Sequence, residues 1–276
     1  MSRLTDEEFL VIQEFIDRSR AELDRRGFTI EIDSDLSKWV RLMRRIPGNL
    51  DIASTHDPSK TYIHPANAFW VIIRERDQKL MARLMRREPT IVACLCYRIV
   101  ETDNIAEEIR TQRLFFDRKP ILDFHPVELV EPDKLPVIGG KVGLAGGFWV
   151  HPKLRGSKLT NIVARVTRML AVRHYGIDWH VSLVRDSPRR KAMIHNTYDI
   201  SDSVSITRGF YPPYGRPYDM QMSYMHRDEM MRRIKQDNLE AAEEKALEAA
   251  EKQEVLPAPD EQEALPMPEE KRRLVN

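Results

Sequence analysis

The chain has very little cysteine: two in 276 residues, Cys94 and Cys96. They stand two apart in an apolar run, so on a strand both point to one face and are badly placed to bridge each other. No CxxC pair and no cysteine–histidine ligand spacing occurs, so no zinc site and no bound metal is expected. Long apolar runs are missing too, and no stretch approaches the length of a membrane span. The opening residues, MSRLTDEEFL, lack the apolar region and small-residue cleavage site of a secretory signal. The expectation is a cytoplasmic protein with no membrane contact. Glycine is also scarce, at 11 residues, which bears on the phosphate-binding motif discussed below.

What is present is charge and a core. Hydrophobic residues make up 42% of the chain and charged residues 32%, enough for a packed domain with a solvated surface. The net charge of +1 conceals an asymmetry. From Gln236 onward there are 12 acids against 5 bases, and the remainder holds 39 bases against 31 acids. A basic body suits a polyanionic ligand, either phosphates or nucleic acid.

Periodicity gives the elements. Residues 5–26 place Phe9, Ile12, Phe15, Ile16 and Leu23 at helical spacing, with acids first and arginines last, and Gly27 ends the run. FTIEI (28–32) reads as a short strand, and Asp35 as the cap of a second helix carrying Trp39, Leu42 and Met43. Residues 47–67 read as a loop, 68–76 and 91–101 as strands, and 77–89 as a short helix between them. NIAEEIRTQRLFF (104–116) reads as a helix, and 117–140, with four prolines, as a wandering connection. A glycine-rich strand (142–150), a helix (159–175), an alternating strand (177–184) and a helix opening at Ser187-Pro188 follow. In the helix at 159–175, Arg165 and Arg168 lie opposite the apolar stripe. Two more strand-like segments, a helix from about 227 and a Pro/Glu-rich tail from 256 complete the chain.

The fold class is therefore α+β, with helices on a central mixed sheet, and the strands at 142–150 and 177–184 should be parallel. Four segments are expected: 1–67, helical and packed on the body; 68–230, the main domain; 231–255, an acidic helix; and 256–276, a disordered tail.

The stretch GGFWVHPKLRGSKLTNIV (146–163) runs from a strand through a basic turn into a helix, a common way of holding phosphate. Together with the element order over 68–230, it resembles the GNAT (acyl-CoA N-acyltransferase) superfamily. In that family a central strand ends in a V-x-P step, matched by Val150 and Pro152. An Arg/Gln-x-x-Gly-x-Gly/Ala turn then leads into a helix whose N-terminus binds the coenzyme A pyrophosphate. Here Arg155 takes the first motif position, while Lys158 and Thr160 stand where the family has its glycines. The resemblance implies a GNAT-like fold and an acyl-CoA co-substrate, most simply acetyl-CoA. The implied cofactor-binding residues are Phe148, Trp149, Val150, Arg155, Gly156, Ser157, Lys158, Leu159 and Thr160. It also implies a backbone N–H near 148–150 that polarises the thioester carbonyl.

Transfer to an amine also needs an acid for the leaving thiolate and a base for the amine. By family position the acid is Tyr198, with Ser182 and Ser187 as further hydroxyls. His180 shares a strand face with Ser182 and titrates in the useful range, which makes it the candidate base. His151 fits better as part of the turn. Tyr211, Tyr214, Tyr218 and Tyr224, interleaved with arginine, could wall an acceptor site or stack on bases. The function expected is acyl transfer from coenzyme A to an unidentified amine by direct attack. The alternatives are a non-catalytic GNAT-like binding or structural protein, and a nucleic-acid-directed transferase or binder.

Overall fold

The computed structural model describes residues 4–46, 52–76, 90–116, 127–211 and 214–254. Met1–Lys235 form one compact unit, and Gln236–Asn276 a second. The sheet and the candidate site described below lie in the first unit. The helix expected at 77–89, residues 117–126 of the connection expected at 117–140 and the tail from 256 lie outside the described residues.

Helix α1 (Asp6–Arg25) starts with a capping box. Thr5 accepts from the Glu8 amide while Glu8 accepts from the Thr5 amide, so two otherwise orphaned donors are satisfied. Strand β1 (Phe28–Asp33) and helix α2 (Leu36–Arg45) follow, the latter capped by Asp35 through the Ser37 amide. Then come β2 (Ala68–Glu75), β3 (Ile91–Thr102), α3 (Ile105–Arg110), β4 (Gly140–Val150), α4 (Leu159–Tyr175), β5 (Trp179–Arg185) and α5 (Pro188–Tyr198). The described chain ends with β6 (Asp202–Thr207), the two-residue strands β7 (Phe210–Tyr211) and β8 (Arg216–Pro217), β9 (Met220–His226) and α6 (Arg227–Glu254). Among the described residues no helix is long and apolar enough to cross a membrane.

Seven strands form one mixed sheet in the order β1-β2-β3-β4-β5-β9-β6, with β7 and β8 in a separate ribbon. The β4–β5 pair is parallel, as expected, and the other pairs in the sheet are antiparallel. One face packs under α1 and α4, where Ile12, Phe15, Ile16, Val163, Val166 and Leu170 meet Phe69, Val71 and Tyr97. The other face is divided between α2 (Trp39, Val40 and Met43 against Trp70, Cys94 and Cys96) and a cluster of Ile105, Ile109, Phe115, Leu144, Val181 and Tyr211. Both cysteines are buried on the α2 side as small apolar residues.

Two expectations need correction. The helix expected over 104–116 runs only over Ile105–Arg110. Gln112 adopts a left-handed φ of 61°, so the chain leaves the helix there and Leu114, Phe115 and Phe116 enter the core from turns. Arg168 does not stand on an exposed face either. With a helix on the sheet flanked by α1 and α5, even the side of α4 away from its apolar stripe is covered, and Arg168 is only 3% exposed.

Candidate active site

The site begins with a register defect. In the β3–β4 ladder Cys94 pairs with Trp149 but Cys96 with Gly146, so Leu95 faces both Gly147 and Phe148. This is a β-bulge, which bends the strand and sharpens its twist. Gly147 supplies the left-handed backbone, at φ +59°, that the bulge requires. On the other edge, β4 pairs with β5 only as far as Ala145 opposite Ser182. Beyond that point β5 continues against β9 up to Arg185, while β4 continues against β3 up to Val150. The two central strands therefore splay into a V.

Backbone outside the β4–β5 ladder lines the opening. The His151 amide donates to the Val92 carbonyl on β3 at 2.7 Å. By strand alternation the N–H and C=O of Val150 point the other way, toward the gap. The guanidinium of Arg155 reaches the Val150 carbonyl at 3.4 Å, which ties the basic turn to the mouth of the V.

A cavity lies on each face of the sheet at the splay, and both are lined by Ala145, Gly146, Gly147, Phe148 and Leu183. The one on the α4–α5 side, of about 140 Å³, also touches Arg168, His180, Ser182, Arg190 and Tyr198. The one on the opposite face, of about 170 Å³, touches Trp39, Thr55, His56, Tyr211, Tyr214 and Tyr218.

Tyr198, the expected acid, stands at the end of α5 with its ring against Phe148, centroids 5.4 Å apart, and its hydroxyl 3.5 Å from the Met193 sulfur. Burial raises its pKa above the ordinary tyrosine value, so the phenol keeps its proton at neutral pH. His180, the expected base, is buried, because β5 is central and α4 covers that side. It is 4% exposed, and its Nδ1 lies 2.5 Å from the Tyr97 hydroxyl. Burial, reinforced by the neighbouring Arg168 charge, holds its pKa well below the usual histidine range. The Ser182 hydroxyl pairs with the Ser223 hydroxyl at 2.6 Å. Ser187 caps α5 through the Arg190 amide, and His151 accepts from the Lys153 amide within the turn.

The turn itself is a 3-10 step over Pro152–Leu154, then Gly156 at φ +82° and the start of α4 at Leu159. Lys158 occupies the N-cap without a side-chain cap. The early amides of α4 are thus available to an anion, apart from a 3.4 Å contact between the Leu159 amide and Ser157 Oγ. A Cβ at Gly156 would meet nothing within 4 Å, so a ligand has room to approach the backbone there. Trp149 faces away, edge-on to His151 at 6.0 Å and packed against the α2 cluster. Of the expected cofactor residues, Phe148 and Val150 lie at the splay and 155–160 at the turn, while the Trp149 side chain serves the core.

Sequence reasoning missed Trp39 and His56. His56 is 2% exposed, donates from Nε2 to the Leu144 carbonyl at 3.0 Å and accepts at Nδ1 from Thr55 Oγ1 at 2.8 Å. Burial pushes its pKa down to about 4. With both nitrogens engaged, it holds β4 beside the bulge. Tyr211, Tyr214 and Tyr218 pack against one another with centroids 4.8–5.9 Å apart and form one wall of this cavity. Tyr224 lies elsewhere, beside Trp179.

No family model matches the chain, and no curated protein matches it in sequence. Solved structures do resemble it. NAA60 from Arabidopsis thaliana, in complex with a bisubstrate analogue, is 11% identical, covers 72% of this chain and 99% of its own, and superposes with a TM-score of 0.43. A GNAT-family acetyltransferase from Streptococcus pneumoniae is 12% identical over 72% and 99%, at 0.38. The spermidine N-acetyltransferase SpeG from Vibrio cholerae is 8% identical over 75% and 98%, at 0.42. The chain's own element order from β2 to β9, its parallel β4–β5 pair and its basic strand-to-helix turn make this a GNAT-like fold.

Proposed function

We propose that the chain is an acyl-CoA-dependent N-acyltransferase, with acetyl-CoA as the simplest co-substrate and an amine acceptor. One observation carries this reading: the β4–β5 splay, with a cavity on each face meeting at residues 146–148 and a basic helix N-terminus at its mouth. Such an opening lets a thioester be approached from one side of the sheet and its acceptor from the other.

The pyrophosphate would lie on the first turn of α4, against Arg155, Lys158 and the backbone around Gly156, Ser157, Leu159 and Thr160. Lysine in place of glycine supplies a point charge instead of close backbone approach. The thioester supplies an activated carbonyl and a thiolate leaving group. Its oxygen would accept from an N–H on the open edge of β4, that of Val150 among them, beside Phe148. The amine nitrogen bonds to the carbonyl carbon, and the carbon–sulfur bond breaks. The sulfur takes the Tyr198 hydroxyl proton, and the proton lost by the amine returns through solvent to the phenolate. His180 stands on the α4 side, across the sheet from the aromatic cavity where the amine would enter, and in this arrangement it is not the base. Ser182, paired with Ser223, closes the floor of the V.

Calorimetric titration with acetyl-CoA tests the reading. Wild-type protein should bind, and Arg155→Ala with Lys158→Ala should lose at least about tenfold in affinity, since two charge-assisted contacts disappear. Absence of binding by the folded wild type would overturn it.

A further inference from the structure

The cavity on the α4–α5 side has a floor that acetyl transfer does not need. Arg168, 3% exposed, and His180, 4% exposed, both line it. The Arg168 charge lies beside the Tyr97 hydroxyl. A cation there favours the oxygen lone pairs on its own side, so the hydroxyl proton goes to His180 Nδ1, 2.5 Å away. That tautomer leaves the imidazole proton on Nε2, and this nitrogen is buried without a partner among the described residues. Arg168 Nε is likewise buried and without a partner.

The other Arg168 donors meet the carbonyls of Tyr198 and Asp199 and the sulfur of Met225, none of them a carboxylate. The Asp199 carboxylate is already engaged by Arg165 at 3.4 Å and by Arg233. Glu229 is taken by Arg232 and Arg233. A buried guanidinium with this surplus of positive charge is costly unless an anion joins it. Between the floor and the bulge the walls are apolar, formed by Leu95, Ala145, Ala164 and Ile200.

We infer that this cavity selects a short acyl group ending in a carboxylate, the monothioester of a dicarboxylic acid, whose carboxylate takes donors from Arg168 and His180. The inference rests on the acyl-CoA reading above, and it names the acyl class. The methylenes would lie against the apolar walls, and the thioester carbonyl would remain at the bulge.

The test is calorimetric titration of free coenzyme A, butyryl-CoA and succinyl-CoA, which share a four-carbon acyl chain in the last two cases and differ in its charged end. Wild-type protein should bind succinyl-CoA about tenfold or more tightly than butyryl-CoA, as expected for a charge-assisted pair. In His180→Leu and in Arg168→Met, with folding checked by thermal melt, the ratio should fall toward one while affinity for free coenzyme A holds. If neither variant folds, the wild-type ratio decides. Equal affinities, tighter butyryl-CoA, or a ratio retained in folded variants would overturn the carboxylate assignment and leave the acyl-CoA reading standing. Binding of none of the three ligands by the folded wild type would overturn both.

Discussion

A Cβ placed on Gly147 would lie 1.9 Å from Cζ2 of the Trp39 indole, far inside contact distance. This contact joins α2 to the β4 bulge and explains why the bulged residue must be glycine twice over, through its φ of +59° and through the missing side chain. Gly147→Ala should therefore destabilise the protein by about 2–4 kcal/mol, combining left-handed strain with overpacking. In a double-mutant cycle with Trp39→Ala, the steric part should disappear and the two costs should be clearly non-additive. Urea denaturation of the four proteins measures this, and strict additivity would show that the indole is not what Gly147 accommodates.

The burial of His56 beside the Leu144 carbonyl predicts a pH dependence of stability. The folded-state pKa is lowered to about 4 by burial, while an unfolded histidine titrates near 6.5. The unfolded chain then binds the extra proton, so this contribution is complete above about pH 6.5 and is lost as pH falls toward 4. Its ceiling is about 3 kcal/mol. His180, shifted in the same direction, adds to the slope. His56→Gln should flatten the stability profile between pH 6.5 and 4.5 and leave a residual slope from His180. An unchanged slope would mean that His56 protonates freely in the folded state.

Much of the scaffold could be read from local signals. The caps at Asp35 and Ser187, the helix at 159–175 and the strand–turn–helix run at 146–163 each depend on a few neighbouring residues, and each forms as read. The two walls of the opening differ in this respect. The tyrosine wall lies within 211–218 and was visible as a cluster. His56 meets Leu144 across 88 residues of sequence, and no local pattern announces that pairing. The same applies to Arg168, which looked solvent-facing on a helical wheel and is buried because α4 is covered on more than one side. His180 changed character because its strand is central in the sheet, a property of topology that alternation alone does not carry.

Tyr198→Phe isolates the proposed proton donor. The ring contact with Phe148 survives, and the hydroxyl gives up only a 3.5 Å contact to the Met193 sulfur, so stability should change little. Acetyl-CoA affinity should stay within about twofold, while turnover falls about a hundredfold, the usual effect of losing a general acid. Because burial raises the phenol pKa above 10, any alkaline loss of wild-type rate due to this group should begin only above that value. Turnover unaffected by the substitution would assign the proton to another donor.

Asp199 gathers the charges beneath the cavity. It closes α5 in a left-handed conformation, φ 55°, and its carboxylate meets Arg165 and Arg233 while its carbonyl accepts from Arg168. Asn tolerates the same backbone conformation, so Asp199→Asn removes charge and little else. Three guanidiniums would then crowd together without that carboxylate. We expect a loss of about 1–3 kcal/mol, since these groups are partly or fully withdrawn from water. High salt should recover part of it at the half-exposed pairs. Arg233→Met should cost less in the Asp199→Asn background than in the wild type, because there only its pair with Glu229 is lost and a charge repelling Arg165 and Arg168 goes with it. Equal costs in both backgrounds would show that Arg233 acts through Glu229 and packing along its stem, and that the charge surplus beneath the cavity is smaller than the geometry implies.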